Sequence, residues 1–298
     1  MKDNVNSNSF KVIYIMGTAR SGTTLLEIML SEAESIYGFG ELTHSLKDGL
    51  IEHKACSCDQ DVWNCHVWKS VLNEYLYEDH EKVVDANNLI RTHEHHLYFF
   101  NNLLNFYKNT VNSYNSINKQ LFDNAKEVTG KPVLLDSSKY PGRALSLNKY
   151  LSDKIFIVCM TRSPEGLIKA FQKKDAGEQQ PKNLFHIFLY YTYVLLCCRI
   201  VLWKYPQQSI CITYEELCNY PEKTLQKIQR LSQVSLEIPI SKISEQEEFQ
   251  IHHILTGNRL RYNKSIKFEP QLKTPTCDKL NEKITCFFMR LFKKTMRF

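Results

Sequence analysis

Four short runs of apolar and β-branched residues recur along the chain, separated by polar turns and by stretches with helical periodicity. The runs cover residues 12–16, 133–136, 155–160 and 209–214. They show no alternation of polar and apolar positions, which is typical of strands buried on both faces of a parallel sheet. Most are followed by turn residues and then by a helical pattern. The sequence therefore predicts βαβ units around a central parallel sheet.

Residues 66–130 lack strand signals and carry apolar side chains at helical spacing. The pattern predicts long helices over 67–77 and within 85–122, with a polar loop at 112–118. We interpret this region as a helical insertion beside the sheet, which either forms a wall of a ligand site or only covers the core. A last amphipathic helix is predicted over roughly 280–298. It either docks on the sheet, which we expect, or lies on a membrane surface.

Composition and charge favour one α/β domain over all 298 residues. The chain is 43% apolar and 23% charged, and its net charge of +6 suits an anionic ligand but is too small to indicate nucleic acid. The apolar stretch 190–203 is short and is interrupted by Thr192 and Arg199, which predicts a buried helix and no stable membrane insertion. Residues 1–10 are polar, so we expect a cytoplasmic protein with reduced cysteines. The oligomeric state is left open.

A glycine-bounded loop follows the first predicted strand. Its sequence from Gly17 to Thr24 is GTARSGTT, and an apolar helical pattern follows at 25–30. A strand, such a loop and a helix N-terminus form an anion site, because backbone N–H groups and the helix dipole converge there. The spacing is that of a P-loop, but Thr23 stands where a nucleotide triphosphatase has its lysine. The loop is suited to hold a phosphate and is poorly equipped to transfer a terminal one.

The run Arg20–Thr24 resembles the 5′-phosphosulfate loop of sulfotransferases that use 3′-phosphoadenosine-5′-phosphosulfate (PAPS). Further segments occur in the order that this family has them: 38–42 with Glu41, 136–139 with Lys139, 162–164, 214–217 and 257–261. The similarity spans roughly residues 11–270 and is greatest to bacterial-type members. It implies a P-loop-like fold and transfer of a sulfuryl group from PAPS to a hydroxyl, or less readily an amine, of a small-molecule or glycan acceptor, with no metal.

The resemblance also implies roles for individual residues. The nucleotide-binding set is Gly17, Arg20, Ser21, Gly22, Thr23, Thr24, Arg162, Lys169, Gly257, Asn258, Arg259 and Arg261. Arg162 is assigned to the 3′-phosphate, for which its planar guanidinium is suited. The family usually has a serine eight residues later, and this chain has Ala170. Lys169 and two lysines at 173 and 174 are candidates to compensate.

Sulfuryl transfer is an in-line displacement that needs charge stabilisation at the leaving phosphate and a base at the attacking hydroxyl. Lys139, with Arg20 sharing its role, is the candidate for the first task, and Glu41 for the second. His44 is the competing base. The alternatives for Glu41 are a helix cap or a salt bridge to Arg20, and for Lys139 a solvated position after a strand.

Two clusters of potential metal ligands stand out in the sequence. Cys56 and Cys58 are followed by Cys65 and His66, but a C-x-C pair is tighter than the usual spacing of zinc ligands. We expect a packed loop without metal, with zinc or a disulfide as alternatives. The histidines at 93, 95 and 96 are expected to form a half-exposed face of one helix.

Two other functions remain open from the sequence. A P-loop kinase or phosphotransferase would use the run 133–136 as a magnesium-binding strand ending in Asp136, but the loop lysine is missing. A non-catalytic binder of PAPS or of its product is suggested only by Ala170. Glu41 and Lys139 argue against it.

Overall fold

A five-stranded parallel sheet forms the centre of the computed structural model, which describes residues 10–173, 181–269 and 275–298. Its spatial order is β2-β3-β1-β4-β5, and a separate antiparallel pair joins β6 to β7. The strands are β1 Lys11–Gly17, β2 Ile36–Gly38, β3 Val133–Lys139, β4 Ile155–Thr161, β5 Ser209–Thr213, β6 Glu248–Gln250 and β7 Ser265–Lys267. All four predicted strands are present, and the predicted α/β class with a central parallel sheet is confirmed.

Helices cover both faces of the sheet. They are α1 Thr23–Ser31, α2 His66–Val71, α3 His80–Glu94, α4 Phe99–Leu103, α5 Val111–Thr129, α6 Pro141–Leu151, α7 Pro164–Gln172, α8 Leu184–Lys204, α9 Tyr214–Asn219, α10 Pro221–Ser232, α11 Glu237–Ser244 and α12 Leu280–Thr295. A π-helical turn spans Leu46–Ile51. One apolar cluster packs one face of the sheet against α2, α3, α5, α6 and α8. A second packs the other face against α1 and α10.

The strand β2 was not predicted, because it is only three residues long. It pairs in parallel with β3, with Ile36 opposite Val133 and Gly38 opposite Leu135. A three-residue strand is too short to produce a periodic signal. Its strand conformation depends on the pairing with β3. Because β2 and β3 are parallel neighbours, the residues that follow β2, 39–41, lie beside the carboxyl end of β3.

Three details of the predicted helical region are wrong. The helix predicted over 67–77 is α2, which ends at Val71 and is followed only by a 3₁₀ turn at Asn73–Tyr75. The polar stretch 112–118 is not a loop but lies inside α5, whose inner face buries Tyr114, Ile117 and Leu121 while Asn112 and Ser116 face solvent. The long helix predicted within 85–122 is interrupted, because α3 ends at Glu94 and a new helix begins only at Phe99.

The three histidines predicted to share one helix do not. His93 belongs to α3, is buried, and stacks on Tyr114 with ring centroids 4.6 Å apart. His95 has an extended backbone after the helix end, and His96 begins the next turn. The chain direction therefore changes between His93 and His96. The imidazoles of His95 and His96 lie against the ring of Tyr140, at the carboxyl end of β3.

A fully buried arginine ties the sheet to this helical region. Arg143 of α6 donates from Nε to Asp136 Oδ2 over 2.6 Å and from one Nη to Glu94 Oε1. The same nitrogen donates to Asn118 Oδ1 over 3.0 Å, and the Tyr114 hydroxyl donates to Glu94 over 2.8 Å. Strand β3 and helices α3, α5 and α6 thus share one buried polar network.

Helix α8 is, within the described residues, the one helix long and apolar enough to cross a membrane by length and composition. In this fold 39% of its most apolar window is buried. It packs on β1, α6 and α12 with Tyr191, Val194 and Leu195 inward. Phe185, Leu189 and Trp203 are exposed, so the helix is only partly buried and not fully so as predicted. The C-terminal helix α12 docks on α7 and α8 through Cys286 and Met289, and not on the face of the sheet as predicted, because its buried side chains pack in one apolar cluster with those of α7 and α8.

We predict that Arg143→Met lowers the free energy of unfolding by about 3–5 kcal/mol, because it leaves Asp136 and Glu94 as buried carboxylates without their cation. Equilibrium denaturation in urea measures the change. The exposed arginine of α10, changed as Arg230→Met, is the matched control and should shift stability by less than about 0.5 kcal/mol. Equal stability of the two variants would contradict the importance of the network.

Candidate functional site

The loop between β1 and α1 is fixed from several sides. Gly17 and Gly22 have φ angles of 152° and 90°, and a Cβ atom at Gly22 would lie 2.4 Å from the Tyr214 ring. The Ser21 hydroxyl donates to the Thr18 carbonyl over 2.6 Å. The Ala19 amide donates to the Tyr190 hydroxyl over 2.8 Å. Because glycine alone tolerates this close approach and these angles, the loop keeps one shape.

A cavity of about 340 Å³ opens over this loop and over the first turn of α1. No side chain caps that turn, so its amides are available to an anion. The cavity is lined by Ala19, Arg20, Gly22, Thr23, Thr24, Leu25, Glu41, Lys139, Arg162, Ala170, Tyr214, Gly257, Asn258 and Leu260. We call it the loop cavity. It collects most of the residues that the sequence assigned to nucleotide binding.

Arg162 enters the loop cavity from the turn between β4 and α7. One of its terminal nitrogens donates to the Arg20 carbonyl over 3.0 Å, and its guanidinium lies 4.2 Å from the centroid of the Tyr214 ring. Its Nε is buried and has no hydrogen-bond partner. An unpaired buried donor is costly unless a ligand satisfies it. Ala170, eight residues after Arg162 and near the end of α7, lines the same cavity and supplies no hydroxyl.

Several residues of the predicted nucleotide-binding set do not line the loop cavity. Lys169 points to α12, where its ammonium lies 2.9 Å from Asp278 and 3.6 Å from Glu282. Arg261 is buried and donates to the Ala55 carbonyl over 2.9 Å, which is a structural contact. The side chains of Ser21 and Arg259 are not among the lining residues either. Among the other candidates to compensate for Ala170, the lysine at 174 lies outside the described residues.

Glu41 and Lys139 form an ion pair at the edge of the loop cavity. Glu41 follows β2 and Lys139 ends β3, where its φ of 69° turns the side chain back toward Glu41. Their side chains are only 13% and 19% exposed. His44 Nε2 lies 4.0 Å from Glu41 Oε2 and 3.4 Å from the Tyr140 hydroxyl. Burial lowers the pKa of the His44 imidazole, so it is neutral near pH 7.

A second cavity, of about 210 Å³, lies on the other side of this ion pair. It is lined by Gly17, Ala19, Glu41, His96, Ser138, Lys139, Tyr140, Pro141, Lys182, Tyr190 and Val194. Because Glu41 and Lys139 line both cavities, two ligands held in them would meet at these two side chains. This arrangement is what a bimolecular transfer requires.

A third cavity, of about 360 Å³, adjoins the second at Tyr140. Its lining is polar and partly cationic: Thr43, His44, Lys47, Asn87, Arg91, His95 and Tyr140. Helix α3 and the residues after it therefore line a cavity, so the interpretation of residues 66–130 as a wall of a ligand site stays a prediction that this geometry allows. Apart from imidazoles, the aromatic rings that line the second and third cavities are those of Tyr140 and Tyr190, which lie outside residues 66–130.

Glu27 holds the backbone next to the Glu41–Lys139 ion pair, and the sequence did not predict this role. It is fully buried on α1, where Oε1 accepts from the Gly40 amide and Oε2 accepts from the Ser137 hydroxyl over 2.6 Å. Gly40 precedes Glu41 directly, and Ser137 lies two residues before Lys139. Glu27 therefore ties both segments to α1. Burial raises the pKa of Glu27 to about 8. No motif marks this residue, since it lies in an otherwise apolar helical run.

Asp136 is directed away from the loop cavity. Its carboxylate accepts from Arg143 and from the amide of Ser138 over 3.0 Å, and it is not a lining residue of any of the three cavities. Both of its oxygens are therefore used inside the fold. This geometry disfavours the magnesium role that a kinase would give to Asp136.

The model of the Sulfotransferase family matches residues 12–237. The chain belongs to this family. No curated protein matches it. Among solved structures, the sulfotransferase domain from the curacin biosynthetic pathway is 15% identical and aligns with a TM-score of 0.50, covering 95% of this chain and 98% of that one. A sulfotransferase from Alicyclobacillus acidocaldarius, also 15% identical, has a TM-score of 0.46 and covers 96% of this chain and 95% of its own. The first similarity supports the sulfotransferase fold.

We predict that Glu27 makes the stability of the fold depend on pH. The pKa of Glu27 is about 8 in the folded state against 4.5 in a model peptide, so the folded state holds a proton that the unfolded state loses between these values. Stability should therefore fall as pH rises from 4.5 to 8, by up to about 1.4 kcal/mol per pH unit.

The variant Glu27→Gln tests this dependence, because the amide imitates the neutral acid and can still accept from the Gly40 amide. Urea denaturation at a series of pH values should show that the variant lacks this part of the slope. The exposed Glu81→Gln of α3 is the control and should keep it. A slope unchanged in Glu27→Gln would show that Glu27 is ionised in the folded protein.

Proposed function

We propose that this sulfotransferase transfers a sulfuryl group from PAPS to a hydroxyl, or less readily an amine, of a small-molecule or glycan acceptor. The observation that carries the proposal is the Glu41–Lys139 ion pair, which lines both the loop cavity and the second cavity. A base and a cation at the junction of two cavities are the groups that such a transfer needs.

The loop cavity fits the donor at both of its anionic ends. The uncapped first turn of α1, with the hydroxyls of Thr23 and Thr24, suits the 5′-phosphosulfate. Arg162, with its buried and unpaired Nε, suits the 3′-phosphate. Gly257 and Asn258 would cover the nucleotide from the opposite side. The donor supplies the sulfuryl group and, as leaving group, a phosphate oxygen.

The remaining chemistry belongs to side chains around the ion pair. Glu41 would accept the proton of the attacking hydroxyl while the new S–O bond forms. Lys139, with Arg20 nearby on the loop, would stabilise the negative charge that develops on the leaving phosphate as the old S–O bond breaks. The pairing of Glu41 with Lys139 keeps both groups in position before the acceptor binds.

The second and third cavities would hold the acceptor. The second offers Tyr140 and Tyr190 as aromatic surfaces with polar ends. The third offers Arg91 and Lys47, and burial lowers the pKa of the imidazoles of His44 and His95, so they are neutral donors and acceptors near pH 7. These linings favour a polar acceptor rich in hydrogen-bonding groups over one with a large apolar face.

The nucleotide prediction separates this function from a kinase. Adenosine 3′,5′-bisphosphate should stabilise the protein without Mg²⁺, by about 2.7 kcal/mol at 100 times its dissociation constant, which thermal-shift measurements detect. Arg162→Ala should weaken this ligand far more than 5′-AMP, because only the former carries the 3′-phosphate.

The control for this experiment is Lys169→Ala. Its ammonium is paired with Asp278 and Glu282, so nucleotide affinity should not change. Tighter binding of ATP–Mg²⁺ than of the bisphosphate would favour the kinase. Equal losses for both nucleotides in Arg162→Ala would remove that residue from the 3′-phosphate site.

The catalytic prediction concerns Glu41. Glu41→Gln keeps the shape of the side chain and removes the base, so turnover should fall by about 10²–10⁴-fold while nucleotide affinity changes little. Single-turnover transfer of labelled sulfate from PAPS to an acceptor identified by screening polar hydroxyl compounds measures the effect.

His44→Gln is the companion variant, since His44 is the competing base 4.0 Å from Glu41. Near-normal turnover in Glu41→Gln with a large loss in His44→Gln would transfer the role to the imidazole. A chain that binds the nucleotide but transfers nothing to any acceptor would favour the non-catalytic binder.

A further inference from the structure

Three cysteines and a histidine meet outside the cavities described above. The Sγ atoms of Cys56, Cys58 and Cys65 and a ring nitrogen of His253 all lie within 4.8 Å of one another. The Nδ1 atom of His253 is 3.3 Å from Cys65 Sγ and 3.9 Å from Cys56 Sγ. Cys56 and Cys65 are buried, and Cys58 and His253 are partly exposed. We call this group the Cys₃His cluster.

Backbone hydrogen bonds form the turn that brings Cys56 and Cys58 together. The Asp59 amide donates to the Cys56 carbonyl over 2.9 Å and the Cys56 amide to the Gln60 carbonyl over 2.8 Å, which closes a tight turn. Asp59 has a φ of 63°, which reverses the chain direction, and the Cys58 thiol lies within 4.8 Å of the Cys56 thiol. The short C-x-C spacing is therefore compatible with two ligands to one ion.

The histidine is brought to the turn by a separate set of hydrogen bonds. The Ser57 amide donates to the Ile254 carbonyl over 2.9 Å, and the Ile254 amide donates to the Ser57 hydroxyl over 2.9 Å. The Trp68 indole donates to the His253 carbonyl over 3.0 Å. These contacts hold His253 against the cysteines at both ends of the loop.

We propose that the Cys₃His cluster is a structural zinc site. Three thiolates and one imidazole are a complete tetrahedral ligand set, which leaves no open position for catalysis. This reverses the expectation from the sequence, where His66 was the nearest histidine. His66 instead lies edge-on against the His253 ring, with centroids 4.5 Å apart. The true fourth ligand is 188 residues away from Cys65 along the chain.

Bound zinc would restrict the motion of residues 254–261, the segment that leads from His253 to the loop cavity. Three residues after His253, the Thr256 hydroxyl donates to the Glu41 carbonyl over 2.7 Å, and Gly257 and Asn258 then line the cavity. Arg261 returns to the cysteine loop through the Ala55 carbonyl, 2.9 Å away. Zinc would thus fix this segment directly at His253, and at Arg261 only through the cysteine loop that both contact. The metal site does not depend on the proposed function, whereas this consequence for nucleotide binding does.

The decisive experiment measures metal content without any nucleotide or acceptor. Protein purified without chelator should contain one zinc per chain by plasma mass spectrometry, and Cys58→Ser should lose it. The matched control is Cys211→Ser, a half-buried thiol of β5 at the opposite edge of the sheet, which should keep the metal. Zinc retained equally by both variants would show an adventitious ion only and would overturn the site.

Two measurements keep the test valid if a cysteine variant fails to fold. X-ray absorption at the zinc edge of the wild-type protein should give three sulfur ligands at about 2.3 Å and one nitrogen at about 2.0–2.1 Å. His253→Ala should weaken zinc against a competing chelator, and His66→Ala should not. A folded wild-type chain that takes up no zinc from solution, or one whose non-reducing peptide map shows Cys56 in a disulfide, would overturn the proposal.

The clamp is tested separately. Zinc removal from the wild-type protein should weaken adenosine 3′,5′-bisphosphate and increase amide exchange in residues 254–261, with little change in β1 and β4. Loss of zinc with unchanged exchange in that segment would show that the metal does not fix it. If the bisphosphate does not bind at all while zinc is present, the proposed donor fails and the metal site stands.

Discussion

The burial of Arg143 between two carboxylates is the constraint on which the arrangement of the site depends. The guanidinium and both carboxylates have side chains without exposure to solvent, so each charge is stable only in the presence of the others. Asp136 belongs to β3 and Glu94 ends α3, which means that a single cation fixes the helical region against the sheet. The Thr43 hydroxyl also donates to Glu94, so the turn after Glu41 is held by the same network.

The two side chains of the Glu41–Lys139 ion pair are positioned by the ends of neighbouring strands. Ser138 connects them, because its hydroxyl accepts from the Thr43 amide over 3.0 Å while its own amide donates to Asp136. Glu27 adds a second support from α1 through Gly40 and Ser137. Lys139 and Glu41 therefore meet because Ser138, Glu27 and the Arg143 network hold their backbones, and the ion pair then holds the two side chains against each other. The other terminal nitrogen of Arg143 is buried without a hydrogen-bond partner among the described residues, so the network is largely but not fully satisfied.

The sequence predicted the local features of this protein well and the long-range ones poorly. Buried strands, the glycine loop and the ends at which Lys139 and Arg162 lie follow from the order of residues along the chain. The strand β2 was missed because three residues give no period, and the stretch 112–118 was assigned to a loop because its polar residues conceal the buried face of Tyr114 and Ile117. Glu27 and His253 act through partners that are distant in sequence, and no spacing rule identifies such pairs.

The segment 252–261 shows how much of the site depends on such distant contacts. Ser57, Glu41 and Ala55 all bond to it, and Gly40 pairs with Thr256 in an isolated parallel bridge. The sequence identified Gly257 and Asn258 only through resemblance, since a glycine followed by asparagine is by itself typical of a turn. In the structure their position is determined by the cysteine loop on one side and by the chain after β2 on the other. A loop held in this way loses little conformational entropy on binding any ligand in the loop cavity, because most of its ordering has already occurred during folding.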